Sequence, residues 1–282
     1  MIRIISDSTS DLSGGLKEKY NIEIIPLHVV MGEQEYLDGV NIAPDDIYKW
    51  ADANKTTPKT SAAAINDCIS VMKPIIDAGD EIVAFAISDS MSASGRVMKL
   101  AAEEIGATEK VTVIDSMNLS TGIGHLVIEA AEMAAAGLSR SEIEAKIKEL
   151  IPRVRASFVV DTLVYLARGG RCSSVAAMMG SVLKLHPMIV VENGAMSATK
   201  KYRGKIDKFV MDYANDLEDE LLKAKPDRVF ITHSGCDREL VEAVRSYLTG
   251  LGRFKEVIET RAGGVISSHC GPGTLGVLFI AG

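Results

Sequence analysis

The 282-residue sequence has little of what nucleic-acid-binding and membrane proteins need. Its formal net charge is −7, which argues against the concentrated basic surface that phosphate binding requires. No apolar run is long enough to span a bilayer, and residues 1–7 predict a strand and a polar turn rather than a secretory signal. We therefore expect a cytoplasmic protein with no nucleic-acid partner and no stable membrane anchor.

The signatures of several catalytic and metal sites are also missing. The four cysteines form no Cys-x-x-Cys pair and the histidines lack metal-ligand spacing, so we expect reduced thiols and no bound metal. There is no Walker loop and no Gly-x-Ser-x-Gly elbow. Gly122-Ile123-Gly124 is a weak dinucleotide signal, because Val127 stands where the third glycine belongs. We therefore predict no cofactor.

Hydrophobic residues are abundant, at 47%, although aromatic residues make up only 5%. In the first half of the chain, short apolar runs alternate with helix-period patterns, which predicts a parallel sheet with helices on its faces. After about Arg155 the pattern changes, and an Asn193-Gly194 turn between two apolar runs predicts a hairpin. We predict two α/β domains, a Rossmann-like domain over residues 1–155 and a mixed-sheet domain over residues 156–282, with a ligand cleft between them.

The predicted strands are Ile2–Ser6, Ile22–Val30, Glu81–Ile87, Val111–Ile114, Ser157–Thr162, Met188–Glu192, Ala195–Tyr202, Arg228–Thr232, Val257–Thr260 and Leu275–Ile280. The predicted helices are Pro44–Ala53, Ala63–Ala78, Gly95–Ile105, Ser120–Ala136, Glu142–Arg153, Leu163–Ala167, Ser173–Leu185, Ile206–Lys223 and Arg238–Leu251. Ligands of open α/β sheets bind at the carboxyl ends of the strands, so we expect ligand-binding residues in the segments that follow the early strands.

Hydroxyl side chains gather at strand ends and helix starts in four segments: residues 7–10, 60–61, 88–94 and 115–122. Such residues often only cap helices. Thr60-Ser61 and Ser92, however, each precede a predicted helix whose start carries no acidic residue. A helix terminus with spare hydroxyl donors attracts an anion, so a carboxylate or a phosphate is the predicted guest.

A second group of candidate residues lies in the later part of the chain. His269 stands in a glycine-rich stretch, residues 262–273, which we predict to be a loop that approaches a ligand closely. Arg171 follows a predicted helix stop at Gly169-Gly170, where its guanidinium can meet a carboxylate or phosphate. Arg203 belongs to a basic cluster at residues 200–205, for which a solvated surface is the simplest explanation.

Taken in order, these motifs resemble those of the DegV family. The matching segments are residues 6–12, 59–61, 88–94, 113–116, 162–171, 183–187 and 269–276, so the resemblance covers nearly the whole chain. It departs from the family pattern at Ala62-Ala63-Ala64, where Gln-Pro-Ser is common, and at Ala93, where glycine is usual. Both departures are small and leave acyl-chain preference open.

The resemblance implies a two-domain α/β protein that buries one long-chain fatty acid between its domains and is not itself an enzyme. It assigns the carboxylate to Thr60, Ser61, Ser92 with the Ala93 backbone, and His269. It also implies that some members present the fatty acid to a separate ATP-binding kinase subunit that makes acyl phosphate. For that role, the family arginines matching Arg171 and Arg203 are implicated in phosphotransfer or docking.

Two alternatives stay open at this point. A serine esterase or acyltransferase would use Ser92 as nucleophile and His269 as base, with Asp7 or Asp115 as the orienting acid. A protein for a small phosphorylated metabolite would need polar groups deep in the cleft, and the apolar bias of the strands argues against it. A fatty acid needs an apolar tunnel, for which the candidate lining residues are Met91, Ile123, Leu163, Met178 and Leu185.

Overall fold

The computed structural model describes residues 1–176, 178 and 185–282. Its strands are β1 Ile2–Asp7, β2 Glu23–Ile25, β3 His28–Met31, β4 Gln34–Leu37, β5 Lys59–Ser61, β6 Glu81–Ala86, β7 Val111–Asp115, β8 Val154–Val159, β9 His186–Glu192, β10 Ala195–Tyr202, β11 Arg228–His233, β12 Glu256–Arg261 and β13 Leu275–Ile280. Its α-helices are α1 Gly14–Lys19, α2 Pro44–Asn54, α3 Ile65–Asp77, α4 Ser94–Glu104, α5 Thr121–Ala135, α6 Arg140–Leu150, α7 Val164–Gly169, α8 Ser173–Ala176, α9 Ile206–Asp216, α10 Glu218–Leu221, α11 Arg238–Gly250 and α12 Gly264–Cys270.

Two large sheets divide the strands as the apolar patterns predict. The first is wholly parallel, in the order β2-β1-β6-β7. The second is mixed, in the order β10-β9-β8-β13-β11-β12, with β11 and β12 parallel and the other neighbours antiparallel. The predicted α/β class is therefore confirmed, while the division into domains at residue 155 stays a prediction.

Helix α5 joins the two sheets. It contacts β1 and β6 of the parallel sheet and β8 and β13 of the mixed sheet, and every residue from Thr121 to Ala131 is buried. A helix that is buried on all sides must be apolar or have its polar groups paired, and the buried polar side chains of α5 are bonded: Thr121 to Thr232, His125 to Leu278 O and Glu129 to Arg228. One hydrophobic cluster consequently runs through both sheets, with members as far apart in sequence as Ile4 and Ile280.

A small antiparallel sheet, in the order β4-β3-β5, was not predicted. The run predicted as one strand over Ile22–Val30 is broken at Pro26, which cannot donate to a ladder, so β2 and β3 belong to different sheets. Strand β5 is short and polar, so it shows no apolar run or alternation from which a strand could be predicted. This small sheet places Thr60 and Ser61 beside Val29 and His28 of β3.

Several predicted elements need correction. The helix predicted over Ile206–Lys223 divides into α9 and α10, and the strand predicted from Ser157 starts at Val154. The helix predicted over Ser173–Leu185 begins as α8, but residues 177 and 179–184, with part of the matching segment 183–187, lie outside the described residues. The hairpin is confirmed, with positive φ at Asn193 and Gly194.

Candidate functional site

A cavity of about 230 Å³ lies between the two sheet-bearing parts of the chain. Its lining residues come from the first part at Leu27, Thr60, Ser61, Ala62, Ile87, Met91, Ser92, Ala93 and Leu119, and from the second at Arg171, Met196, Val265, Ile266, His269 and Cys270. All five residues predicted to hold a carboxylate thus line one cavity, together with Arg171. We call it the first cavity.

The first cavity has a polar group of residues and an aliphatic wall. Hydroxyl, amide and imidazole groups come from the five predicted residues, while Leu27, Ile87, Met91, Leu119, Met196, Val265 and Ile266 supply apolar side chains. Of the five residues predicted to line an apolar tunnel, Met91 lines this cavity, whereas Ile123 is fully buried in the hydrophobic core. The cavity is suited to a guest with one polar end and an apolar body.

His269 is bonded to Thr60 across the cavity wall. Its Nε2 lies 2.7 Å from Thr60 Oγ1, and its Nδ1 is buried without a partner among the described residues. Burial, aided by the positive charge of Arg171, lowers the pKa of His269 to about 4, so the imidazole is neutral at pH 7. When Nε2 carries the ring proton and donates to Thr60 Oγ1, the Thr60 hydroxyl proton is free for a ligand oxygen.

The stretch around His269 is a helix, α12, and the prediction of a loop there was wrong. Two buried carboxylates accept the amides at its N-terminus: Gly263 N donates to Asp11 Oδ1 at 2.8 Å, and Gly264 N donates to Asp38 Oδ1 at 2.6 Å. Anionic groups at a helix N-terminus stabilise a helix that glycines and serines disfavour. These contacts fix the helix that carries His269 to the first part of the chain.

Ser92 lies one residue before Ala93, the N-cap of α4, so it precedes a helix as predicted, and the first turn of α4 carries no acidic residue. Ser92 Oγ lies 2.9 Å from Ser94 Oγ, and the first-turn amides of α4 have no intrahelical acceptor. The Ala93 amide stands at this same terminus. A carboxylate oxygen of the chain itself, Asp89 Oδ1, also stands beside this first turn, where a Cβ added to Gly95 would lie 2.8 Å from it. The case for an anion at Ser92 and Ala93 therefore rests on their position in the cavity lining as well as on the helix terminus.

At Thr60 and Ser61 no helix terminus is free to attract an anion. The helix predicted to follow them starts later, at Ile65, and Asp67 stands in its first turn, accepting from the Ala64 amide at 2.9 Å. The N-terminus of α3 is therefore occupied by a carboxylate of the chain itself. What brings Thr60 and Ser61 to the cavity is strand β5, which contacts α12.

The two candidate arginines differ in position. Arg171 is exposed and lines the first cavity, and its guanidinium donates to Gly169 O at 2.7 Å. Arg203 directly follows β10, is exposed, and does not line the cavity. The backbone at Gly169 passes so close to His269 that an added Cβ would lie 2.4 Å from Nδ1, which explains the glycine there.

The described residues do not form the hydrolytic triad that was left open. His269 Nε2 contacts Thr60 rather than Ser92, and no acid contacts its Nδ1 within the described part of the chain. Asp7 Oδ2 accepts from Ile87 N at 2.9 Å, and Asp115 Oδ1 accepts from Met117 N at 2.8 Å. The two candidate acids hold backbone turns and do not orient the imidazole.

Sequence reasoning missed Asp11 and Asp38, which fix α12. Burial raises the pKa of both carboxyl groups. The only sequence signal was the aspartate repeated in Asp7-Ser8-Thr9-Ser10-Asp11, which local patterns assign to a capping turn.

Within residues 1–176, 178 and 185–282, no group of three His, Cys, Asp or Glu side chains is arranged to hold a metal ion. No helix in that same part of the chain is long and apolar enough to cross a membrane.

Fold and cavity together define an α/β protein with a ligand cavity between a parallel and a mixed sheet, polar in one part and aliphatic elsewhere. The chain belongs to the DegV family: the family model described as "Uncharacterised protein, DegV family" matches residues 1–282. A DegV domain-containing protein of Caldanaerobacter subterraneus is 31% identical over 280 residues, which cover 99% of this chain and 98% of the relative.

Solved structures of the family superpose over the whole chain. A DegV family protein from Thermus thermophilus, described for its fatty acid binding, is 29% identical, with a TM-score of 0.90 and 99% coverage of both chains. A stearic-acid-binding protein from Eubacterium ventriosum is 27% identical, with a TM-score of 0.87, covering 100% of this chain and 98% of its own. The predicted family and fold are thereby confirmed.

Proposed function

We propose that this protein binds one long-chain fatty acid in the first cavity and does not hydrolyse it. The carboxylate is held by Thr60, Ser61, Ser92, the Ala93 amide and His269. The observation that carries the proposal is the convergence of these groups, from β5, the start of α4 and α12, on one otherwise aliphatic cavity. The fatty acid binding described for the Thermus thermophilus and Eubacterium ventriosum relatives supports it.

The aliphatic wall supplies most of the affinity. Burying a methylene group contributes about 0.8 kcal/mol, so a long acyl chain outweighs the cost of immobilising it. The polar groups fix the orientation of the ligand, because a carboxylate placed against the aliphatic wall would lose its hydrogen bonds to water.

The proposal is tested by mass spectrometry of an organic extract of the purified, denatured protein, combined with thermal shift on adding a fatty acid. We expect one fatty acid per chain and a raised Tm, since a ligand that binds only the folded state stabilises it. Ser92→Ala weakens binding, while Ser70→Ala, the same change at an exposed position of α3, leaves it unchanged. Extracts without fatty acid, together with no thermal shift, overturn the proposal.

We further propose that the protein presents its fatty acid to a separate ATP-binding kinase subunit that forms acyl phosphate, without catalysing that step itself. Arg171 supports this role, because it is exposed to solvent and also lines the cavity. A guanidinium there can pair with phosphate oxygens. Arg203 is assigned to docking.

The carrier role is tested by mixing the loaded protein with ATP and a purified bacterial ATP-binding fatty acid kinase subunit. Arg171→Ala and Arg203→Ala should lower acyl phosphate formation while leaving the extracted fatty acid unchanged. Arg96→Ala, at an exposed position of α4, is the matched control. If all variants form acyl phosphate equally, the two arginines have no part in this role. If the unaltered protein forms no acyl phosphate, the carrier role itself is overturned.

A further inference from the structure

A second, smaller cavity of about 20 Å³ lies behind the first. The two cavities share three lining residues, Leu119, Ile266 and Cys270. All three are buried members of the core cluster that runs through both sheets. These side chains form a wall with one cavity on each side, and we call them the dividing wall.

The second cavity suits an apolar group better than water. Its hydroxyl groups are already bonded to one another or to the backbone: Thr232 Oγ1 lies 2.6 Å from Thr121 Oγ1 and 2.9 Å from Thr260 Oγ1, and Thr274 Oγ1 donates to Cys270 O at 3.0 Å. A buried water needs two to four free polar partners. His233, which also lines this cavity, is bonded to Glu259 through Nε2. The apolar part of the lining is formed by Phe158, Ala262, Leu278 and the dividing wall.

The dividing wall is held in place from both sides by one carboxylate. Ser120, which follows Leu119, donates from Oγ to Asp11 Oδ2 at 2.5 Å. Gly263, at the start of the helix that carries Ile266, donates its amide to the other oxygen, Asp11 Oδ1, at 2.8 Å. Ser120 adopts a positive φ of 53°, a conformation that its bond to Asp11 helps to maintain.

We propose that the dividing wall sets the length of the acyl chain that the protein accepts. The methyl end of the ligand stops against Leu119 and Ile266, and truncating this wall opens the second cavity to it. This inference rests on the proposed fatty acid binding and adds a determinant of specificity to it. The key residue is Ile266, because truncating its side chain joins the two cavities.

The test is competitive loading of the protein with saturated fatty acids of graded chain length, followed by mass spectrometry of the extract. In Ile266→Ala we expect the preferred length to increase. Each additional buried methylene is worth about fourfold in affinity, so acids about two methylenes longer gain roughly fifteenfold relative to the unaltered protein. Ile266→Val, which removes less of the side chain and should preserve the fold, shifts the preference in the same direction by less.

Val265→Ala is the matched control. Val265 is the neighbouring residue on α12 and lines the first cavity, but it does not line the second. Its truncation enlarges only the first cavity, so the preferred length should shift by less than it does in Ile266→Ala. Adding Ala262→Leu to Ile266→Ala should restore the original preference, because Ala262 lines only the second cavity and the larger side chain refills it.

The outcomes separate the two proposals. If Ile266→Ala is folded and loaded but keeps the length preference of the unaltered protein, the dividing wall is not the determinant, while fatty acid binding stands. An equal shift in Val265→Ala also overturns the proposed role of the dividing wall, since any enlargement of the first cavity would then be enough to change the preferred chain length. If the unaltered protein retains no acid of any length, both proposals fail.

Discussion

At the residue scale, His269 is the side chain on which the proposed carboxylate site depends most. Its imidazole is neutral at pH 7 because burial lowers its pKa to about 4. Its bond to Thr60 Oγ1 orients the ring, so the pair acts as one polar unit at the cavity wall. A neutral donor pair binds a carboxylate without placing an additional buried positive charge in the free protein.

We expect His269→Ala to lower fatty acid affinity by about ten- to a hundredfold, because a hydrogen bond to a charged group contributes about 1.5–3 kcal/mol. Isothermal titration with a fatty acid measures the loss. His269→Gln keeps an N–H donor and should lose less than His269→Ala. Equal losses in the two variants would indicate that His269 acts only through packing.

His28 is the residue that ties the small sheet to α3. Its Nδ1 lies 2.7 Å from Glu35 Oε1 and its Nε2 lies 2.8 Å from Asp67 Oδ2. Burial opposes the protonated form, but the bonds to these two carboxylates outweigh it and raise the pKa of His28 above its usual 6.5. The folded state therefore binds a proton more tightly than the unfolded chain does.

This linkage predicts a pH-dependent contribution to stability. It is complete below the unfolded pKa and is lost as the pH rises through the raised folded pKa. Urea unfolding should show that His28→Gln is destabilised by about 1 kcal/mol at about pH 5.5 and by less at about pH 9. A difference that does not vary between the two pH values would contradict the role of the ion pairs.

At the scale of elements, the end of α7 determines the room available to His269. The helix stops at Gly170, which has a positive φ of 68°, and the preceding Gly169 packs its backbone against the imidazole. The backbone of Gly169 thus limits the space on the Nδ1 side of the ring. The Gly169-Gly170 pair thus serves two purposes, a helix stop and a close backbone approach.

We expect Gly169→Ala to displace His269 and to lower fatty acid affinity by about tenfold, because an added Cβ would lie 2.4 Å from Nδ1. Gly15→Ala, in α1, is the control, since its added Cβ meets no atom within 4 Å. Chemical shifts of the His269 ring, measured by NMR, report the displacement directly. Unchanged shifts together with unchanged affinity would show that the ring tolerates the methyl group.

At the scale of the whole molecule, α5 is the element on which both sheets depend. Besides its apolar surface, it carries a buried ion pair to the mixed sheet. Glu129 Oε1 accepts from Arg228 of β11 at 2.7 Å, and Lys225 donates to Glu129 Oε2 at 2.6 Å. Both partners of the first pair are only 6% exposed, and the second partners, Glu132 for Arg228 and Lys225 for Glu129, are nearer the surface.

We expect Glu129→Ala to lower the free energy of unfolding by about 3 kcal/mol, because it leaves a buried guanidinium without its innermost partner. The exposed pair between Glu144 and Lys148 of α6 is the comparison, and Lys148→Ala should cost about 0.5 kcal/mol or less. Chemical denaturation measures both values. Similar losses in the two variants would mean that burial does not strengthen the first pair.

Local patterns in the sequence were sufficient to predict an element wherever its own residues favour that structure without help from distant parts of the chain. The parallel strands β1, β6 and β7 are continuous apolar runs, and the Asn193-Gly194 turn carries its own backbone preference, so both were predicted. The start of α4 just after Ser92, with no acidic residue in its first turn, was predicted for the same reason, since both features are local. Local features also singled out Thr60, Ser61, His269 and the two arginines, and the family resemblance added the Ala93 backbone and gave these residues their roles.

Tertiary contacts decided the elements that local pattern could not. Helix α12 begins with glycine and contains serines, and it forms where Asp11 and Asp38, more than two hundred residues away, accept its first amides. Strand β5 is polar and forms because β3 supplies its ladder. The pairing of Thr60 with His269 and the dividing wall between the cavities depend on both, because they join residues that only the packing of the two sheets around α5 brings together.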